Sequence, residues 1–370
     1  MFKKLLFLCF ALFSSFGFSQ MPQLSQQSKV SIFTCGRGEE LYSTFGHTAL
    51  RIQDSNNALD IVYNYGCFDF STENFYFKFV KGDLQYYVNV TSFDDFVFEY
   101  KLDRREVIEQ TLNLTFAQKQ QLFDALNKTL LSDEKYYTYK FIDRNCTTMV
   151  ADKINALYGK KLIRKVDDKT ISYRTLLYPY FENYFWYKLG INLVFGAKTD
   201  KDAEQLFLPV ELMHSLDKAS VDGKPLVTKT QTIVQGEPVK STFSLVNSIY
   251  IICLFLLVLI LANKRFVFTT YLFFCGLMGL FLCLVGLYSE HQELLWNYNA
   301  LLFNPLFLLI PFAKGNFLKK LNLVLSALLL VYCIIMFNKP HLMIMLPFIV
   351  SHLYMLLKLN RRIPQKPKAK

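Results

Sequence analysis

The sequence predicts an α+β exported domain followed by an all-α membrane domain of about five transmembrane helices. Three observations carry that reading. The chain opens MFKKLLFLCFALFSSFGFSQ, which has the build of an export signal. Its early segments alternate apolar and polar residues, while later ones repeat at helical spacing. Its last third is a series of long apolar runs.

Two lysines, an apolar stretch from Leu5 to Phe13, and small residues at Gly17 and Ser19 predict a signal peptide over residues 1–19, cut before Gln20. An uncleaved anchor is the alternative. Cys9 lies inside the apolar stretch and no cysteine follows the cut, so the chain does not read as a lipoprotein itself.

Residues 20–240 form the exported domain. KVSIFTC, HTALRI and LDIVYNYG read as three strands, the last two separated by the turn QDSNN. FYFKFVKGDLQYYVNV reads as a strand pair, or a short helix and a strand, broken at Gly82-Asp83. RREVIEQTLNLTFAQKQQLFDALNKTLL has helical periodicity, with Thr115 a suitable N-cap and Leu122, Leu126 and Leu130 on one face. Val150, Ile154 and Leu157 follow at helical spacing, with Gly159 as the stop, which puts Cys146 in the first turn of a short amphipathic helix. A helical, aromatic block covers 172–189, and KPLVTKTQTIVQG reads as a final strand.

The apolar runs at 246–262, 266–287, 294–312, 321–337 and 341–357 approach the roughly 20 residues that cross a bilayer. Pro305 and Pro311 interrupt the third. The membrane domain is bounded at 246–358, with a basic tail at 359–370. Charge tests the topology. Residues 21–240 carry 27 Lys and Arg against 28 Asp and Glu, whereas 241–370 carry 12 against two. Eleven of those twelve fall in NKR at 263–265, KGNFLKK at 314–320 and the segment from Lys358. Five crossings put all three segments in the cytoplasm, so the formal charge of +11 follows the positive-inside rule and does not imply nucleic acid. Localisation in the inner membrane, with the N-terminal domain in the periplasm, is expected.

In that oxidising space the domain holds Cys35, Cys67 and Cys146. An odd count flags one reactive thiol. Cys35 and Cys67 are a candidate disulfide, with connectivity left open. A thiol at a helix N-terminus gains thiolate character from the helix dipole and free N–H groups, which can also hold an oxyanion. A neutral imidazole would take its proton and return one to a leaving group. His47, at the start of a strand, is the candidate base. His214, in LPVELMHSL, has no marked polar company. The alternative is a buried small thiol and an unrelated core histidine. Cys35, in the glycine-rich FTCGRGEE, is the rival nucleophile. Metal binding fits poorly, for there is no C-x-x-C or H-E-x-x-H pattern and no close ligand pair.

FTCGRGEELYSTFGHTALRI, DIVYNYGCFDF, NFYFKFVKGDLQYYV, FIDRNCTTMVADKI and GINLVFGAKTD…EQLFLPVELM resemble, in order, the exported domain of the Lnb family of Bacteroidetes, and SEHQELLWNYNALLFNPLFLL extends the match into the membrane region. The family comprises lipoprotein N-acyltransferases. The His-before-Cys order also resembles the circularly permuted papain-like, NlpC-like fold. The resemblance implies Cys146 as nucleophile, His47 as base, and an orienting residue among Glu40, Asn64 and Asp69, of which Glu40 is taken as catalytic and Asn64 as substrate-binding. An arginine expected soon after the cysteine is missing from TTMVADK, so Arg144 or Lys153 is left to bind a lipid phosphate. His291, with Glu290 and Glu293 in SEHQELLWNYN, is expected to position or deprotonate an incoming amine; the alternative is an interfacial belt with Trp296 and Tyr298. Tyr136, Tyr137, Phe185 and Trp186 read either as the lining of an acyl groove or as core.

The partners this implies are a membrane phospholipid as acyl donor, diacylated lipoproteins as acceptors and the bilayer itself, with no nucleic acid and no cofactor. The runner-up is an NlpC-like hydrolase of cell-wall peptides or lipid amides. A third reading is a non-catalytic envelope lipoprotein-assembly factor.

Overall fold

The computed structural model describes residues 22–237 and 243–361. The export signal expected at 1–19 lies outside the described residues, as does most of the basic tail. Strands β1 (Lys29–Cys35), β2 (His47–Asp54) and β3 (Leu59–Cys67) form an antiparallel meander. Their alternation explains it: Val30, Ile32, Leu50 and Ile52 face one core, while Phe33, Cys35, Ala49 and Val62 face the other. The short-helix-then-strand reading holds next, as α1 (Phe75–Lys81) and β4 (Gln85–Ser92).

Helix α2 (Phe93–Leu102) covers the second face of the sheet, capped by Ser92. The expected long helix after it is two elements. Val107–Leu112 is a strand, β5, pairing with β1 on one side and with a late strand on the other. Its Val107, Glu109 and Gln110 are buried, and tertiary pairing overrides the local helical spacing. Helix α3 (Phe116–Leu130) starts at Thr115 with a full capping box.

The rest of the domain is β6 (Tyr136–Thr138), α4 (Cys146–Tyr158), α5 (Tyr173–Leu177), α6 (Phe185–Val194), α7 (Pro209–Lys218), the small hairpin β7 (Ser220–Val221) and β8 (Lys224–Pro225), and β9 (Val227–Val234). Seven strands make one antiparallel sheet in the order β6-β4-β3-β2-β1-β5-β9. Helices α3, α4 and α7 pack on its first face, so the fold is α+β in its N-terminal part.

The C-terminal part is helical. Among the described residues three helices are long and apolar enough to cross a membrane: α9 (Arg265–Tyr288), α11 (Gly315–Met336) and α12 (Leu342–Arg361). The first run gives the shorter helix α8 (Ile249–Ala262). The third run is not one helix. It splits into α10 (Asn299–Leu302) and a 3-10 turn over Pro305–Leu309, because Pro305 supplies no N–H and disfavours helical backbone at Asn304.

This broken segment lies antiparallel along α9. A Cβ on Gly286 would meet Leu295, one on Gly279 would meet the Phe303 carbonyl, and one on Gly276 would meet Leu308; at the far end Arg265 donates to the Ala313 carbonyl. The two inner glycines bring the backbones together as small residues do between membrane helices. Carbonyls and amides freed by the break find partners: His352 bonds the Leu302 carbonyl, and the Asn304 side chain accepts from the Leu306 N–H.

A polar junction joins the two parts. Arg174 is fully buried and donates to Asp200, to Asn192, and to the carbonyls of Ile191 and Phe195. Asn299 then donates to the Asn192 and Leu193 carbonyls and accepts from Tyr332 in α11.

Candidate active site

The sequence Arg-Asn-Cys turns a loop into a helix for a specific reason. Asn145 holds extended backbone, and its side-chain oxygen accepts from the amides of Thr147 and Thr148 at 3.0 Å each. Its amide nitrogen donates to the carbonyls of Phe141 and Phe207, tying the helix start to two neighbouring segments. With those two amides engaged, the Cys146 N–H is the helix-terminal donor, among the described residues, that has no bonding partner. The expectation of several free N–H groups at the thiol narrows to this one.

Helix α4 rests on β2, where Thr147 and Thr48 share a hydrogen bond of 3.0 Å between their hydroxyls. The β2–β3 ladder ends at Ala49 opposite Asn64, and β3 bulges between Asn64 and Cys67, with Gly66 at φ +91. Beyond that end the Thr48 amide lies near enough to the Cys146 thiol to favour its thiolate. A Cβ on Gly66 would sit 3.7 Å from the Cys146 Cβ and 3.9 Å from the Tyr137 hydroxyl, so the bulge brings the backbone against the thiol.

Burial pushes the Cys146 thiol up. His47, by charge and hydrogen bond, together with the Thr48 amide and the Thr147 hydroxyl, outweighs burial and holds it below the ordinary thiol value. The Thr48–Thr147 bond joins the sequence neighbours of His47 and Cys146, so the two expected residues lie on the same side of the β2–α4 contact. Cys35 behaves differently: burial drives it up to about 12, and it lies in the second core beside Tyr100. Burial likewise raises Cys67 to about 11. The rival nucleophile is thus a buried core thiol whose burial disfavours the thiolate.

The candidate Cys35–Cys67 bridge is not present; both are free thiols. The topology explains this. Cys35 ends β1 and Cys67 ends β3, with β2 between them, and two strand spacings of roughly 4.8 Å exceed the reach of a disulfide.

The partner of His47 is Asn64, at 3.3 Å from Nε2 to Oδ1. Asn64 donates through its amide nitrogen to the Val62 carbonyl and the Thr91 hydroxyl, which turns its oxygen to the ring. His47 then carries its proton on Nε2 and keeps Nδ1 as the basic nitrogen. Glu40 is exposed at the head of a 3-10 turn, where its backbone carbonyl bonds Ser43 and Thr44. Asp69 is exposed and bonds Ser71. So Asn64, expected to bind substrate, is the residue in contact with the ring, and Glu40 is not.

Arg144 is exposed, with its guanidinium 5.1 Å from the Tyr137 ring centre, on the same side as the thiol. Lys153 instead donates to Thr129 on α3, away from the helix start. His291 and Glu293 serve as pins between the two parts of the chain. His291 donates to the Phe79 carbonyl at 2.8 Å; Glu293 is buried and pairs with Lys198, which also holds Asp143. The membrane-side loop is thus fastened to α1 and to Lys198, and neither His291 nor Glu293 contacts Cys146 or His47. His214 pairs with Asp167 on the exposed surface.

Thr48 and Asn145 carry no signal that the sequence reading used, and Tyr137, read as groove lining or core, is buried with its hydroxyl beside the thiol. Asn145 was the most accessible of them, since asparagine before an amphipathic run is a strong N-cap signal.

Residues 22–178 match the family model described as the Lnb N-terminal periplasmic domain. No curated protein and no solved structure matches the chain.

Proposed function

We propose that this chain, which belongs to the Lnb family through its N-terminal periplasmic domain, is a cysteine acyltransferase that N-acylates lipoproteins at the membrane. The observation that carries the reading is a cysteine at a capped helix start beside a histidine-bearing strand, on a domain fastened to an apolar helical bundle.

In the reaction, the Cys146 thiolate attacks an ester carbonyl of a phospholipid. The Cys146 N–H faces the developing oxyanion. The carbon–oxygen bond breaks, the lysophospholipid oxygen takes the proton from the His47 imidazolium, and a thioester remains. The α-amine of a diacylglyceryl-cysteine then attacks that thioester. His47 takes the amine proton, the carbon–sulfur bond breaks, and an amide is released with the thiolate restored. Asn64 keeps the ring in one orientation through both halves. Arg144 meets the donor phosphate. No step needs a nucleotide, since thioester to amide is downhill.

A permuted papain-like arrangement fits the order of the site, with the histidine on a strand ahead of a cysteine at a helix start. Five crossings of the inner membrane fit the broken segment, which runs from the outer end of α9 to the Arg265 end. The site also suits a hydrolase, but a bundle fastened to the domain through α1 and Asn192 favours a substrate drawn from the bilayer.

The test is mass spectrometry of the N-terminal peptide of an abundant lipoprotein from cells lacking this protein, complemented with wild type or Cys146→Ser. An extra fatty-acyl mass with wild type alone is expected. The same unacylated peptide in both complemented strains would overturn the reading.

A further inference from the structure

Helix α1, FYFKFVK, buries Phe75 and turns the rest of its aromatic side outwards: Tyr76 is 75% exposed and Phe77 70%. Tyr42 and Phe70 continue the surface, each ring within contact distance of Phe68. A contiguous aromatic patch of this kind on a soluble surface calls for an occupant.

The backbone of α1 is fastened to the outer end of the spanning helix α9. Ser289 donates to the Val80 carbonyl at 2.6 Å, the Glu290 N–H to Lys81 at 2.7 Å and His291 to Phe79 at 2.8 Å. Gly82 permits this approach, for a Cβ there would lie 3.2 Å from the His291 ring. These bonds set α1 at the depth where α9 leaves the apolar layer. Trp296, 85% exposed in the same loop, marks that depth independently, as tryptophans at membrane interfaces do. Lys78, in the same helix, suits phosphate headgroups.

Behind the patch, aromatic rings lead inwards. Phe75 meets Phe68 at 5.8 Å between ring centres, Phe68 meets Tyr86 at 5.3 Å, and Tyr86 stacks on Tyr139 at 4.5 Å. Tyr139 lies close enough to Cys146 to feel its charge.

We propose that α1, with Tyr42 and Phe70, is seated in the outward-facing leaflet of the bilayer that holds α9, and that phospholipid acyl chains occupy the patch. The proposal deepens the acyl-transfer reading by naming where the donor enters, and it rests on that reading only for the route beyond Phe75. Continuity with the outer end of α9 selects lipid over a second copy of the chain or a soluble protein.

The test uses the full chain carrying Cys146→Ser, so that its outcome is independent of acyl transfer. Trp186→Phe and Trp296→Phe remove the native tryptophans, and Phe77→Trp, or Tyr76→Trp in a second variant, supplies the probe. The proteins are reconstituted in vesicles of phosphatidylethanolamine and phosphatidylglycerol. Lipids bearing a doxyl group near the headgroup end of the chain are expected to remove most of the emission, with aqueous iodide removing little. Strong iodide quenching with no doxyl quenching would overturn the proposal, as would emission that becomes shielded only when a lipoprotein is added or the protein dimerises. Failure here with N-acylation intact would leave the acyltransferase reading standing.

Discussion

Asn64 faces His47 across the open end of the β2–β3 ladder, oxygen to Nε2 at 3.3 Å, with its own amide nitrogen anchored on Val62 and Thr91. In the proposed reaction the contact would act on Cys146 through the ring, which makes Asn64 a positioning residue. Asn64→Ala is expected to lower the acylation rate on the order of 10²-fold, the cost of a misplaced reacting group. Asn64→Gln should fare no better, since a longer amide cannot keep both anchors. Because the residue only orients the ring, kcat should fall while KM for the lipid donor stays unchanged, measured in vesicles with a labelled phospholipid. Glu40→Gln in the same assay should be near wild type; a large loss there would restore Glu40 as the orienting group.

Thiol reactivity follows from the same pair. Cys146 titrates below the ordinary thiol value, whereas Cys35 and Cys67 are pushed up to about 12 and about 11. In the soluble part, brief iodoacetamide treatment near neutral pH is therefore expected to label Cys146 well ahead of the other two, read by peptide mass mapping. The sign is direct. Alkylation falls as pH drops through the Cys146 pKa, and that limb lies below the usual thiol range. In His47→Ala the ring's charge and hydrogen bond are gone while burial remains, so the limb should move up. An unmoved limb would mean that His47 does not act on the thiol.

Arg144 offers a prediction about substrate. Its guanidinium stands over the ring of Tyr137, whose hydroxyl and the Cys146 Cβ both lie against Gly66, while Lys153 is turned to Thr129. Arg144→Gln should raise KM for an anionic-headgroup donor by about tenfold, within the worth of a charge-assisted hydrogen bond. Lys153→Gln should leave it unchanged, and the two variants compared over a salt series separate a specific contact from a general field.

Much of this site was legible because it is local. The spacing of Val150, Ile154 and Leu157 and the stop at Gly159 act within one helix, so the helix-start position of Cys146 is legible without the Asn145 cap. His47 stood out by its scarcity and strand-end place. Asn64 could not be assigned the same way, since it meets His47 only through the β2–β3 register and the bulge at Gly66, which no local pattern fixes. The same limit explains β5, where the pairing of Val107–Leu112 with β1 and β9 decides against a helix. It also separates Cys35 from Cys67, since the intervening strand appears only once the sheet order is known. In the membrane part, Pro305 announced an interruption, but the path of the broken segment depends on glycines in a different helix.

Those glycines give the most direct test of the bundle. A Cβ on Gly279 would fall on the Phe303 carbonyl oxygen, a backbone atom fixed by the broken segment, and one on Gly276 would lie 2.9 Å from the Leu308 amide nitrogen. Neither neighbour can rotate away as a side chain would. Gly279→Leu is therefore expected to push the 299–313 segment off α9 and sharply lower the yield of folded protein, scored by monodisperse elution in mild detergent and by melting temperature. Gly190→Leu, where a Cβ has nothing within 4 Å, is the control and should elute like wild type. If Gly279→Leu is as stable as the control, the segment does not pack along α9, and the path proposed for the third crossing fails with it.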